Sequence, residues 1–195
     1  MVEIFKQYLK EKIEITDEEF EQAFGNLVVK KIIKWQVLLR AGEHAQHGFF
    51  VCRGLLRAYS LDEKGKEHIV QFAPENWIVG DRNAMINQPS IFSIDAIEET
   101  ELILLPNNFL EAAATQIPRL LTMNVTLLNN AIRFMQKRIS MLLGATASER
   151  YLDFLKIYPN LTLRVPQWMI ASYLGITPES LSRVRKELAK NHFRP

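Results

Sequence analysis

The chain has 195 residues, of which 48% are hydrophobic and 24% charged, a balance that excludes a disordered or fibrous protein. Its 24 Lys and Arg against 22 acidic residues give a net charge of +2, so bulk charge points to neither a nucleic acid nor a membrane. The lone Cys52 excludes a disulfide framework and any Cys-built zinc or iron–sulfur site within the chain. No apolar run approaches the roughly 18 residues of a membrane span, and the Met1–Lys6 start lacks the pattern of a secretory signal. The expectation is a soluble cytoplasmic protein with no membrane partner.

Residues 1–25 read as one or two short helices. Thr16-Asp17-Glu18-Glu19 has the form of a capping box, in which the Thr hydroxyl and the Glu carboxylate satisfy orphan backbone amides reciprocally, and Gly25 marks a stop. From about 28 to 105 the pattern changes to short apolar or alternating runs: Val28–Trp35, Val37–Arg40, Gly48–Cys52, Leu55–Leu61, His68–Phe72, Trp77–Val79, Ser93–Ile97 and Leu102–Leu105. Turn residues separate them, and eight short strands at this spacing predict an antiparallel β-barrel or jelly roll. Asp62-Glu63-Lys64-Gly65 is the clearest hairpin turn.

After Pro106 the period becomes helical. The longest helix is predicted from Pro118 to about Gly144, with Leu121, Val125, Leu128, Ile132, Met135, Ile139 and Leu142 in alternating steps of four and three. That is a coiled-coil seam. Leu120, Leu127, Ala131, Phe134 and Met141 widen the stripe, so the helix needs two burial surfaces, the roll and a second copy of itself. Homodimerisation is the expected outcome. Thr146-Ala147-Ser148-Glu149 caps a further helix to about Tyr158, Gly144-Ala145 forms a hinge before it, and a short strand is expected over Leu161–Val165.

The segment from Pro166 to Leu188 carries the most information. Ala171 is small where two helices cross, Gly175 suits a left-handed turn, and Ile176 fills the angle between the helices. Thr177 caps the second helix, Pro178 takes its first position, and Leu181, Val184 and Leu188 face inward. This is the steric pattern of a helix-turn-helix, and it leaves Glu179, Ser180, Ser182, Arg183 and Lys186 exposed. Double-stranded DNA is the partner it predicts. The charge distribution agrees. Residues 164–195 hold six Lys and Arg against two acids, leaving 18 basic and 20 acidic residues elsewhere, so a net of +4 faces a net of −2.

A β-roll, a long helix and a C-terminal helix-turn-helix, in that order, resemble the Crp/Fnr family of bacterial transcription regulators across nearly the whole chain. Leu39-Arg40-Ala41-Gly42-Glu43, Arg53-Gly54-Leu55-Leu56-Arg57-Ala58-Tyr59, Gly65-Lys66-Glu67-His68 and the run Phe72–Asp81 are similar to that family's roll, and Glu179, Ser182 and Arg183 resemble its Glu-x-x-Ser-Arg reading set. The resemblance implies an α+β fold: a cyclic-nucleotide-binding-like roll over 1–116, a dimerisation helix over 117–144 and a winged helix-turn-helix over 145–195. It implies a homodimer on a palindrome with TTGA or TGTGA half-sites, RNA polymerase as a further partner, and a small-molecule effector. Base reading is expected from Glu179, Ser180, Ser182 and Arg183. Arg183 suits guanine O6/N7 and Glu179 suits cytosine N4. Phosphate contacts are expected from Arg164, Thr177, Arg185 and Lys186.

The sequence departs from the family at the effector pocket, expected at Gly80, Asp81, Arg82, Ser90 and Ser93. Gly80 is followed by the short carboxylate of Asp81, Arg82 is out of register, and no arginine occurs from 83 to 118. A cyclic phosphate without its bidentate cation loses roughly 1.5–3 kcal/mol. Cyclic AMP is therefore not expected to bind in the family's usual manner, and no cofactor or metal is expected. His44 and His47 are close but lack a third ligand. Two rival readings are a small-molecule-sensing roll with vestigial DNA binding and a jelly-roll enzyme. The second lacks a His/Glu metal triad, so the protein is not expected to be an enzyme.

Overall fold

The computed structural model describes residues 1–81 and 87–192, the side chains of 191 and 192 aside. Two helices come first, α1 (Val2–Lys10) and α2 (Asp17–Phe24). The α2 capping box is complete: Glu19 N–H donates to Thr16 Oγ1 at 3.2 Å, and Thr16 N–H donates to Glu19 Oε2 at 2.9 Å. Eight strands follow: β1 (Val28–Ile32), β2 (Val37–Leu39), β3 (His47–Arg53), β4 (Leu56–Leu61), β5 (Glu67–Ala73), β6 (Ile78–Val79), β7 (Ser93–Ala96) and β8 (Thr100–Pro106). Each coincides with an expected run, trimmed or extended by a few residues.

The strands form two four-stranded sheets, ordered β1-β8-β3-β6 and β2-β7-β4-β5. Alternation explains what fills them. In β3, Phe49 and Val51 join a core that also takes Ile32, Leu39, Leu56, Ala58, Ala73, Val79, Ile94, Ala96 and Leu102, so every strand contributes to it. Phe50 and Cys52, on the other face of β3, belong to a second core with Ile103 and Leu105, against Phe5, Leu9, Phe20 and Phe24 of the first two helices. With both faces of β3 buried, its sequence reads as an unbroken apolar run instead of an alternating one. Phe5 is the hub of the second core, 4.9 Å from Phe50 and edge-on to it.

Then come α3 (Phe109–Ala114), α4 (Arg119–Gly144), α5 (Ala147–Ile157), α6 (Leu161–Arg164), α7 (Gln167–Leu174) and α8 (Pro178–His192). The strand expected over Leu161–Val165 is corrected: α6 stands there, one helical turn closed by Val165 N–H donating to Leu161 O at 2.9 Å. Leu161 and Val165, four apart, are both buried, which is the helical reading of an apolar spacing that also suits a strand. Among the described residues no strand follows β8, so the winged motif has no wing strand there.

The chain forms two compact units. The first comprises Met1–Ser60 and Val70–Asn129, the second Leu61–Ile69 and Asn130–Pro195. The start of α4 belongs to the first unit, where Leu120, Met123 and Leu127 pack into the second core. The rest of α4 belongs to the second unit, together with the tip of the β4–β5 hairpin.

Candidate nucleic-acid interface

The turn between α7 and α8 follows from its residues. Gly175 ends α7 at φ 64°. A Cβ there would stand 3.2 Å from Leu142 Cδ2, and an L-residue would be strained at that φ in any case. Ile176 N–H donates back to Ala171 O at 3.0 Å, the six-to-one bond that closes a left-handed helix end. Ala171 is buried, as expected for the crossing point. Thr177 Oγ1 accepts from Ser180 N–H at 3.2 Å, so Thr177 caps α8 with Pro178 at its first position. Pro166, by contrast, is the N-cap of α7 and precedes its first turn.

The inward face of α8 is fixed by Leu181 and Val184, both buried, with Leu188 half-buried. They pack in the core of the second unit, built on Tyr151, Phe154, Tyr158, Met169, Ile170 and Tyr173. Phe154, Tyr158 and Tyr173 form a triangle of rings 5.4–5.7 Å apart. The outward face carries Glu179, Ser182, Arg183, Arg185 and Lys186, all exposed, with Thr177 exposed at its start. Ser180 departs from the expected set: it is half-buried, and its hydroxyl accepts from Arg183 Nη2 at 3.2 Å. Arg164 is also half-buried, on α6. The Glu179 carboxyl is held below its usual range, chiefly by its own backbone amide and then by the Thr177 hydroxyl, with the charge of Arg183 assisting. It stays ionised as an acceptor.

Two residues that sequence reasoning passed over hold this unit together. Ser172, on α7, accepts from Ile69 N–H at 3.0 Å and donates to Glu67 O at 2.9 Å, pinning the hairpin strand. Arg138, on α4, donates from Nη2 to Ile69 O at 3.1 Å and to Tyr173 O at 2.8 Å, with its guanidinium 3.6 Å from the Tyr173 ring centroid. Nothing local marks either one, because each partner lies 35 to 105 residues away. Against the same helix, Phe134, Arg138, Phe154 and Tyr173 border a cavity of about 30 Å³, room for roughly one water and too small for an effector.

In the first unit, the two serines expected in the effector pocket are spent on backbone. Ser90 Oγ donates to Phe92 O at 2.7 Å and accepts from Phe92 N–H at 3.1 Å, and Ser93 Oγ accepts from Ala41 N–H at 3.1 Å. Asp81 is buried, and a Cβ on Gly80 would come within 3.0 Å of Gly48 Cα. Arg82 lies outside the described residues. The buried guanidinium that is described is Arg57. It is bound to Asp95 through Nε–Oδ1 at 2.7 Å and Nη2–Oδ2 at 2.9 Å.

Comparison with known proteins places this geometry. The model of the cyclic nucleotide-binding domain matches residues 29–116. The anaerobic regulatory protein of Pasteurella multocida is 28% identical over 192 residues, 90% of this chain and 68% of that one. The fumarate and nitrate reduction regulatory protein of Vibrio cholerae is 27% identical, over 84% of this chain and 70% of its own. The solved structure of FixK2 from Bradyrhizobium japonicum superposes with a TM-score of 0.75 at 22% identity, over 85% of this chain and 86% of that one. The chain resembles regulators of the Crp/Fnr type. It shares the fold of FixK2, a cyclic-nucleotide-binding-like roll followed by a C-terminal helix-turn-helix, and these relatives are transcription regulators. The relatives are regulators and not enzymes. Among the described residues, no helix is long and apolar enough to cross a membrane.

Proposed function

We propose that the chain is a DNA-binding transcription regulator of the Crp/Fnr type, working as a homodimer that places two copies of α8 in successive major grooves of a palindrome, about 34 Å apart. The division of labour is a sensor over 1–116, a dimerisation helix over 117–144 and a reader over 145–195. Arg183 reads guanine, Glu179 accepts from cytosine N4 and Ser182 adds a hydroxyl contact. Arg164, Thr177, Arg185 and Lys186 hold phosphates. The observation that carries this reading is the outer face of α8, a charged and polar set left open on a helix whose other face is locked into a core.

The dimer rests on the α4 seam. Leu121, Val125, Ile132, Ile139 and Leu142 are 40–56% exposed in a single chain, while Leu120 and Met123, on the opposite side, are buried. A helix with one apolar stripe covered and another open fits a second copy against the open one.

For the effector, cyclic AMP held in the family's usual way does not fit these residues. Side chains from all eight strands pack into one buried core, Ser90 and Ser93 are committed to backbone, and no arginine occurs from 83 to 118. An iron–sulfur cluster does not fit this chain either, because Cys52 stands alone, is buried, and has its thiol pushed up to about 11 by burial. The small molecule sensed is of another class, and RNA polymerase is the downstream partner.

The test is a mobility-shift titration against duplexes with inverted TTGA or TGTGA half-sites. Arg183→Ala is expected to lose discrimination at the guanine of TGA, by roughly ten- to hundredfold. Lys186→Ala is expected to weaken all sequences alike and to flatten the salt dependence by about one counterion. Binding indifferent to both sequence and Arg183→Ala would leave a sensing module with a vestigial reader. A large thermal shift with cyclic AMP would overturn the effector argument.

A further inference from the structure

Sequence alone places Ser180 among the base readers, but its surroundings assign it a different task. We propose that Ser180 is a positioning residue. Its hydroxyl, steadied by Thr177, holds the Arg183 guanidinium in its reading orientation, and guanine discrimination depends on that hydroxyl without its touching a base. The proposal rests on the assignment of Arg183 as a base reader.

Three observations carry it. Ser180 is half-buried at the start of α8, whereas Glu179, Ser182 and Arg183 are exposed. Its Oγ accepts from Arg183 Nη2 at 3.2 Å, one helical turn on, where i and i+3 side chains meet. The same Oγ lies 3.2 Å from Thr177 Oγ1 in a second hydrogen bond, and Thr177 Oγ1 also accepts from the Ser180 amide. A guanidinium only donates, so Ser180 Oγ must act as acceptor toward it. The hydroxyl is therefore occupied on two sides before DNA arrives.

The consequence is preorganisation. A free arginine carries several rotatable bonds and loses rotamer entropy when its planar fork meets guanine O6 and N7. A guanidinium tethered through one Nη to Ser180 has already lost part of that freedom, and its remaining donors are open for the bidentate contact. Glu179 reinforces the arrangement from the other side. Its carboxylate shares hydrogen bonding with the Thr177 hydroxyl and lies in the field of Arg183. The acidic and basic readers thus answer to one pair of hydroxyls.

Ser180→Ala isolates this role, because the helix cap uses the backbone amide of Ser180 and survives the change, and alanine favours the helix. Affinities of the full chain are measured for TTGA and TGTGA palindromes and for the same duplexes with the guanine of TGA replaced. Wild type, Ser180→Ala, Ser180→Thr, Arg183→Ala and the Ser180→Ala/Arg183→Ala double variant are compared, with the melting temperature and salt slope of each. The expected result is a loss of guanine discrimination of roughly three- to tenfold in Ser180→Ala, with melting temperature, salt slope and affinity for the replaced duplex unchanged. Ser180→Thr, which keeps the hydroxyl, restores discrimination, and Ser180→Ala adds nothing in the Arg183→Ala background. Additive losses in the double variant, or a uniform loss on every duplex, would make Ser180 a direct contact to base or phosphate and overturn the proposal. If Arg183→Ala itself leaves discrimination intact, the base-reading assignment fails, and the role of Ser180 fails with it.

Discussion

Replacing Asp95 with alanine is expected to cost more stability than any surface change in this protein. Arg57 and Asp95 face each other across β4 and β7, in direct register, with side chains only 5% and 6% exposed. Two parallel N–H···O bonds of 2.7 and 2.9 Å join them, and the guanidinium also lies 4.3 Å from the Tyr59 ring and 5.7 Å from the Trp35 ring. Attraction between two such charges near 4 Å is about 4 kcal/mol at an effective dielectric of 20, and it is largely offset by their desolvation. The intact pair therefore adds little net stability. Removing one partner is another matter, since it leaves a buried guanidinium without its counter-charge, at roughly 3–5 kcal/mol. Urea unfolding followed by tryptophan fluorescence measures this, because Trp35 and Trp77 both lie in the roll. At a typical slope near 2 kcal/mol/M the Asp95→Ala midpoint should fall by about 2 M, whereas Arg57→Met/Asp95→Leu, which removes both charges, should stay within about 1–2 kcal/mol of wild type. A loss under about 1 kcal/mol in Asp95→Ala, or a double variant as unstable as the single one, would refute the reasoning.

Four further outcomes follow from the same geometry. Ile132→Glu/Ile139→Glu, at side chains 54% and 56% exposed in one chain, should give a monomer by light scattering with an unchanged circular dichroism spectrum; a persisting dimer would place the interface elsewhere. Gly175→Ala should cost about 1–2 kcal/mol in thermal unfolding, since a left-handed φ is imposed on a residue with a Cβ, and a neutral result would contradict the turn described here. Ser172→Ala removes an acceptor from Ile69 N–H and a donor from Glu67 O and should cost about 1–3 kcal/mol, with faster amide exchange at Ile69. Asp17, whose carboxyl is lowered to about 2 chiefly by a hydrogen bond from Lys10 and then by one from Lys6, should titrate there by NMR. A lowered carboxyl contributes stability above its unfolded value near 4 and loses it as the pH falls toward 2. Lys10→Met should move the midpoint upward, and a wild-type midpoint near 4 would contradict the pairing.

Much of the site was legible because its determinants are local. A cap, a proline at the first helical position, a left-handed glycine and an i, i+3 apolar pair are constraints between near neighbours, and the α7–α8 turn meets them as read. The same holds for both capping boxes, each closed within three residues. Leu161–Val165 misled because five residues with apolar side chains at the first, third and fifth positions suit a strand, while the first and fifth also share one face of a helical turn, and only the core they enter decides between them. Ser180 misled in a related way: its position on the wheel is that of an outward residue, yet its hydroxyl is turned toward Thr177 and Arg183.

By itself, the sequence determined the order of roll, long helix and reader, the reader's turn, and the concentration of positive charge upon it, since each rests on period, propensity or composition. Only the tertiary structure decided what pairs across distance. Arg57 with Asp95 depends on strand register over 38 residues, Ser172 with the hairpin on a separation of 103 and 105, and Arg138 with Tyr173 on 35. Near neighbours constrain none of these contacts. They form when sheets and helices close on one another, and in the strands one residue of register shift would turn each side chain to the opposite face.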